Sequence, residues 1–147
     1  MIVVDTNIWA RALLGDDPGQ SSRARQALAA GRSKEGVFLS LVVLAELSWV
    51  LRAARWERER VLKALESLLH TRGVATEAPS VVQAAVDATR KGGRGGFADH
   101  LIAQVGFANG CREALTFDGP TGAAGASRPS RARSAAATRR GRTRSAP

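Results

Sequence analysis

Apolar residues in the first 118 positions come in short runs, some too short for a helix and some spaced for one. "IVVD" (2–5) is a brief aliphatic run, which predicts a buried strand ending on Asp5. "NIWARALLG" follows as a helix capped by Asp5 or Thr6 and stopped at Gly15. After the turn "DDPG" (16–19), a second helix is predicted over 21–31, ending on Gly31. "GVFLS" (36–40) is the next strand, and Ser40 is placed to cap a helix over 41–54. Residues 57–73 are amphipathic, with Val61, Leu62, Leu65, Leu68 and Leu69 at helical spacing. A strand over 74–78, helices over 79–92 and 97–110, and a strand over 113–118 complete the pattern. Strands separated by pairs of helices predict an α/β fold, a three-layer α/β/α sandwich on a short parallel sheet of about four strands. Right-handed crossovers collect the C-terminal strand ends, with Asp5 and Asp118, on one edge, where such sheets place their sites.

From 119 onward the pattern stops. The last 29 residues contain no Leu, Ile, Val, Phe, Trp or Met, so this tail is expected to be disordered beside a folded domain over 1–118. The tail also accounts for most of the charge. The net charge is +9, but residues 119–147 hold seven Arg and no acid, which leaves 15 basic and 13 acidic residues, a net of +2, in the domain. Overall basicity is therefore a weak argument for nucleic-acid binding by the domain itself. One cysteine, Cys111, excludes an internal disulfide and fits a reducing compartment. Only three apolar residues separate Met1 from Asp5, and no run approaches the roughly 18 of a membrane span, so a cytoplasmic protein without membrane contact is expected.

Most of the 13 acids sit among polar neighbours, but four do not. Asp5 and Asp118 end apolar strands. Glu46 interrupts "LVVLAELSWVL", with Val42, Val43, Trp49 and Val50 at helical neighbour spacing. Asp99 opens a helix among Ala98, Ile102 and Ala103. Each has a simple alternative: a helix cap for Asp5, a favourable first-turn acid for Asp99, a turn residue for Asp118, an ion pair for Glu46. Four together, with no Lys or Arg in the apolar runs around Glu46 and Asp118, predict a shared cation, because clustered carboxylates repel one another unless a metal neutralises them. Oxygen-only ligands suit Mg²⁺ or Mn²⁺, and neither His70 nor His100 has a partner at zinc spacing. Such a site fits metal-assisted phosphodiester cleavage.

No nucleophile elbow, P-loop or dinucleotide fingerprint is present. "GGRGG" (92–96) follows a helix and reads as a connection; its alternative is a lid carrying Lys91 and Arg94 to an RNA backbone. Trp49 reads as core packing.

"MIVVDTNIWARALLGDD", "LSLVVLAELSWVL", "GGFADHLIAQVGFANGC" and "ALTFD", in this order, resemble the four acidic motifs of the PIN-domain family, and more narrowly those of VapC-type toxins of bacterial toxin–antitoxin pairs. The resemblance covers about residues 1–118. It implies an endoribonuclease dependent on Mg²⁺ or Mn²⁺, with Asp5, Glu46, Asp99 and Asp118 as metal-binding and catalytic acids and with Asn7 and Thr116 in support. It further implies homodimerisation and neutralisation by a small antitoxin, to which Trp9, Trp49 and Trp56 are available. The family usually continues past "TFD" into a last apolar strand, which this chain is expected to lack. The tail is of the kind that GC-rich codons give in any frame, which suggests a replaced C-terminus; an apolar segment in another frame of the locus is the test. A catalytically impaired protein that binds antitoxin or RNA, or a DNA-directed nuclease with the same metal logic, are the alternatives.

Overall fold

The computed structural model describes residues 1–92 and 94–116 and, of Thr116 and residues 130–133, the backbone. The elements run β1 (Ile2–Val3), α1 (Thr6–Leu14), α2 (Pro18–Lys34), β2 (Val37–Leu39), α3 (Leu41–Ala53), α4 (Arg58–Leu69), β3 (Val74–Thr76), α5 (Pro79–Arg90), α6 (Phe97–Ala108), β4 (Glu113–Thr116) and β5 (Ser130–Arg133). The α/β class holds, with the helices carrying most of the mass.

The sheet has the order β1-β2-β3, all parallel, with Val3 beside Phe38 and Leu39 beside Thr76. Among the described residues it has three strands, where about four were expected. β4 is formed, but it pairs antiparallel with β5, in register from Glu113 opposite Arg133 to Thr116 opposite Ser130. Only the first of these pairs sets an acidic position opposite a basic one. β5 also lies within the stretch expected to be disordered; the rest of that stretch is outside the described residues.

α2 is longer than the predicted 21–31. Pro18 stands at its first turn, and the Asp17 carboxylate accepts from the Gln20 amide at 3.0 Å. Gly31, read as a terminator, is inside the helix and buried. Its role is close approach: a Cβ there would lie 2.7 Å from Ile2 Cδ1 and 3.1 Å from Val37 Cγ2, so the missing side chain lets α2 lie against the strands.

α3 starts as predicted, with Ser40 Oγ accepting from the Val43 amide at 3.3 Å. Glu77, just past β3, accepts from the Leu41 amide at 2.8 Å and puts a negative charge at the helix N-terminus. The core gathers Val37 and Leu39 of β2, Leu44, Leu47 and Leu51 of α3, Leu65 of α4 and Val82 and Val86 of α5, all without exposure. Arg90 of α5 bridges to Glu59 and Glu66 of α4. The hydrogen bond from Arg90, aided by one from Gln83, holds the Glu66 carboxyl below the usual glutamate range. Its contribution to stability is therefore full above that range and is lost as pH falls through the lowered value.

Gly73 leads into β3 with φ +79°, and a Cβ there would lie 2.7 Å from the Arg32 carbonyl oxygen. Backbone cannot yield as a side-chain tip can. Gly73→Ala is expected to cost about 2 kcal/mol or more of unfolding free energy, read as a lower urea midpoint at unchanged slope.

Candidate active site

Asp5 stands between β1 and α1 and serves the second as its N-cap: Oδ1 accepts from the Ile8 amide at 3.2 Å, which engages one of its two oxygens. Thr6, the first helical residue, is buried, and its hydroxyl donates a very short hydrogen bond to Oε2 of Glu46 on α3. This bond ties two elements 40 residues apart in the chain. Asp5, Thr6, Asn7 and Glu46 together line an open depression of about 490 Å³, with Val43, Trp49 and Val50 as its apolar wall. Among the described residues no Lys or Arg lines it.

The burial expected for the acids is not found. Asp5, Glu46 and Asp99 are all exposed. α3 buries Leu44, Leu47, Ser48 and Leu51 on one face and turns Val42, Glu46 and Trp49 outward, so Val42 is 67% and Trp49 63% exposed. Trp49 is thus not a core residue. Of the other tryptophans, Trp9 is buried, and Trp56 is half-buried with the Arg60 guanidinium 3.7 Å from its ring centroid. The partner that Glu46 was missing in the sequence is the Thr6 hydroxyl. The argument for a cation now rests on the convergence of oxygens, not on a burial penalty.

Asp99 occupies the first turn of α6, and its Oδ2 accepts from the Gly96 amide at 2.7 Å. It fulfils its simpler reading as a capping acid and does not line the depression. Gly95, at φ +94°, leaves room for it: a Cβ there would lie 3.1 Å from both Cβ and Oδ2 of Asp99. Neighbouring His100 has a buried Nε2 without a hydrogen-bond partner among the described residues. Burial first, then the positive charge of Arg58, lowers its pKa, which favours the neutral ring. Thr116 ends β4, and Asp118 lies outside the described residues. Lys91 and Arg94 are exposed on the connection from α5 to α6.

Among the described residues no three acidic, His or Cys side chains are grouped to hold a metal ion. Two carboxylates, an amide and a hydroxyl share the depression, and this oxygen-only donor set is of the kind that suits a hard divalent cation.

A scan of protein-family models matches the PIN domain over residues 2–119. The chain belongs to the PIN-domain family. A search of curated proteins gave no significant match. PIN domains are in general metal-dependent nucleases, hydrolases that use divalent ions. No helix of this PIN domain among the described residues is long and apolar enough to cross a membrane.

Reading by charge alone missed Thr6. Its signal was the hydroxyl next to the acid in "DTNI", where Thr6 was read only as a possible helix cap. Thr6→Val preserves the volume and removes the donor that fixes Glu46. Loss of such an orienting partner typically costs about 10–100-fold in metal affinity or activity, and that fall in metal-dependent cleavage is expected here with an unchanged circular dichroism spectrum.

Proposed function

We propose that this PIN domain is a Mg²⁺- or Mn²⁺-dependent endoribonuclease, the toxin of a VapC-type toxin–antitoxin pair. The observation that carries the reading is the meeting of Asp5 and Glu46 in one open depression, lined by no Lys or Arg among the described residues, with Glu46 held by Thr6. Asp5 and Glu46, joined by Asp99 and Asp118, are the residues that would hold the ion, with Asn7 and Thr116 in support. A bound divalent ion supplies Lewis-acid stabilisation of the phosphorane and lowers the pKa of a water. The chain's own part is to fix its oxygens in advance. Asp5 is held by capping α1, Glu46 by Thr6 and Asp99 by capping α6, so little reorganisation remains when RNA binds. Lys91 and Arg94 are placed on the exposed α5–α6 connection to attract the RNA backbone.

The partners in this reading are RNA, a second copy of the chain and a small antitoxin. Exposed Val42 and Trp49 beside the depression are the kind of apolar surface such a protein partner covers. A small adjacent reading frame encoding a DNA-binding protein supports the toxin role; its absence counts against it.

A second reading, binding without turnover, draws support from one observation: β4, which leads toward Asp118, is not part of the β1-β2-β3 sheet. Cleavage of labelled RNA separates the two. Activity is expected with Mg²⁺ or Mn²⁺, none in EDTA, recovery on adding the ion back, and a fall of about 100-fold or more in Asp99→Asn. Activity that persists in EDTA sinks the metal mechanism. RNA bound but never cut favours the second reading, and a DNA strand of the same sequence cut as fast as RNA favours a DNA-directed enzyme.

A further inference from the structure

Trp49 also lines a second cavity, of about 260 Å³. Trp49 lines both, so the two share an aromatic wall. Their chemistry is opposite. Among the described residues the second cavity has no acidic lining residue; Arg52 of α3 and Arg58 of α4 stand in its wall, and Val61, Leu62 and Phe97 supply a buried apolar floor. Neither arginine pairs with a carboxylate among the described residues. Arg52 Nη1 donates to the Trp56 carbonyl at 2.6 Å, and Arg58 Nη2 donates to the Gly95 carbonyl at 3.2 Å. Both guanidinium groups are thereby oriented without an ion pair among the described residues. Arg58 Nε is buried with no acceptor among the described residues.

An apolar floor, an exposed indole and two oriented guanidinium groups make up a nucleotide site: the base stacks, and the phosphate takes the fork of an arginine. We propose that this cavity is a nucleotide subsite, taking the RNA residue next to the scissile bond, with its phosphate on Arg58 and Arg52 and its base on Trp49. The strand then passes over Trp49, its scissile phosphate in the acidic depression and its neighbour in the basic cavity. This also accounts for a large indole left 63% exposed on the surface. The subsite rests on the ribonuclease reading for its meaning, yet its occupancy is measurable without cleavage.

The experiment is fluorescence anisotropy of a fluorescein-labelled RNA hexamer with the full chain in EDTA, over a range of salt. Trp49→Ala is expected to weaken binding about 10-fold, and Trp49→Phe to restore most of the loss. Arg52→Ala is expected to lower the slope of log affinity against log salt by about one. Arg58→Lys keeps the charge and removes the fork, and a weakening of several-fold is expected. Arg23→Ala, on the exposed face of α2, serves as the control for diffuse attraction and is expected to change affinity little. Unchanged affinity in Trp49→Ala and Arg58→Lys overturns the subsite, as does an equal loss in Arg23→Ala. Hexaglutamate binding as tightly as RNA also overturns it, in favour of a protein-docking face. Trp49-dependent RNA binding in a protein that never cleaves upholds the subsite and overturns the nuclease reading alone.

Discussion

Glu46→Gln is expected to lower metal-dependent RNA cleavage by about 100-fold or more and to leave the unfolding free energy within about 0.5 kcal/mol of the parent. The two halves of this expectation have separate causes. Glutamine has the shape of glutamate and keeps a carbonyl oxygen that can accept from the Thr6 hydroxyl, so the tie between α1 and α3 survives. Glu46 is exposed, and its removal from beside Asp5 relieves a like-charge pair, so no destabilising mechanism is engaged. Cleavage differs, because a divalent ion needs formal negative charge from its ligands, and the stabilisation it gives a developing phosphorane is worth several kcal/mol. Each tenfold corresponds to about 1.4 kcal/mol, so losing a ligand charge falls in the range of two decades. The measurement is kcat/KM on labelled RNA beside a urea titration. Parental cleavage by the variant would remove Glu46 from the site.

One residue along, the opposite result is expected. Leu47 has no exposure and sits in the core with Leu44 and Leu51 of the same helix. Leu47→Ala leaves a cavity that a close-packed interior fills only in part, and buried Leu→Ala changes cost about 2–5 kcal/mol. For a domain whose total stability is about 5–15 kcal/mol, this brings unfolding near ambient conditions. Yet the side chain points away from the depression, so molecules that remain folded at low temperature are expected to cut RNA at near-parental kcat. Urea unfolding gives the first quantity, and turnover normalised to the folded fraction gives the second. A stable but inactive Leu47→Ala would mean that α3 carries Glu46 through a fit finer than helix position alone. A one-residue step turns a helix by about 100°, which is why neighbours in the chain divide chemistry from packing so sharply.

That same helix shows where sequence reading ran out. Over residues 41–51 nearly every position is apolar, so hydrophobicity has no contrast from which to find the buried face. Glu46 looked like a charge inside the core, when Leu44, Leu47 and Leu51 define the inner face and Glu46 and Trp49 the outer one. Where contrast exists, as in α4 with its leucines between charged residues, the inner face was readable. Caps were readable too: Ser40 and Asp5 make the local bonds their residue types favour. Gly31 was misread because a glycine that ends a helix and one that admits a neighbouring strand look alike in one dimension. Of the candidate site, Asp5, Asn7 and Glu46 were legible as acids and amide at motif spacing and do share one depression. Asp99 was equally legible but stands at the start of α6, outside the lining of that depression. Trp49 and Arg58 gain their meaning only from distances between helices, which no local pattern encodes.

The strand order of the sheet also has a bearing on how the chain assembles. β1, β2 and β3 lie side by side in the order in which they are made, each one pair of helices after the last. No strand has to be inserted between two already paired, so each new strand can add to a standing edge as synthesis proceeds. Asp5, Thr6 and Glu46 are all supplied by the first 53 residues, within the part that organises earliest. The Asp99 helix comes some 40 residues later. A nascent chain would therefore carry Asp5, Thr6 and Glu46 well before the helix that bears Asp99, an order of events in which the proposed acidic site stays incomplete until most of the domain has left the ribosome.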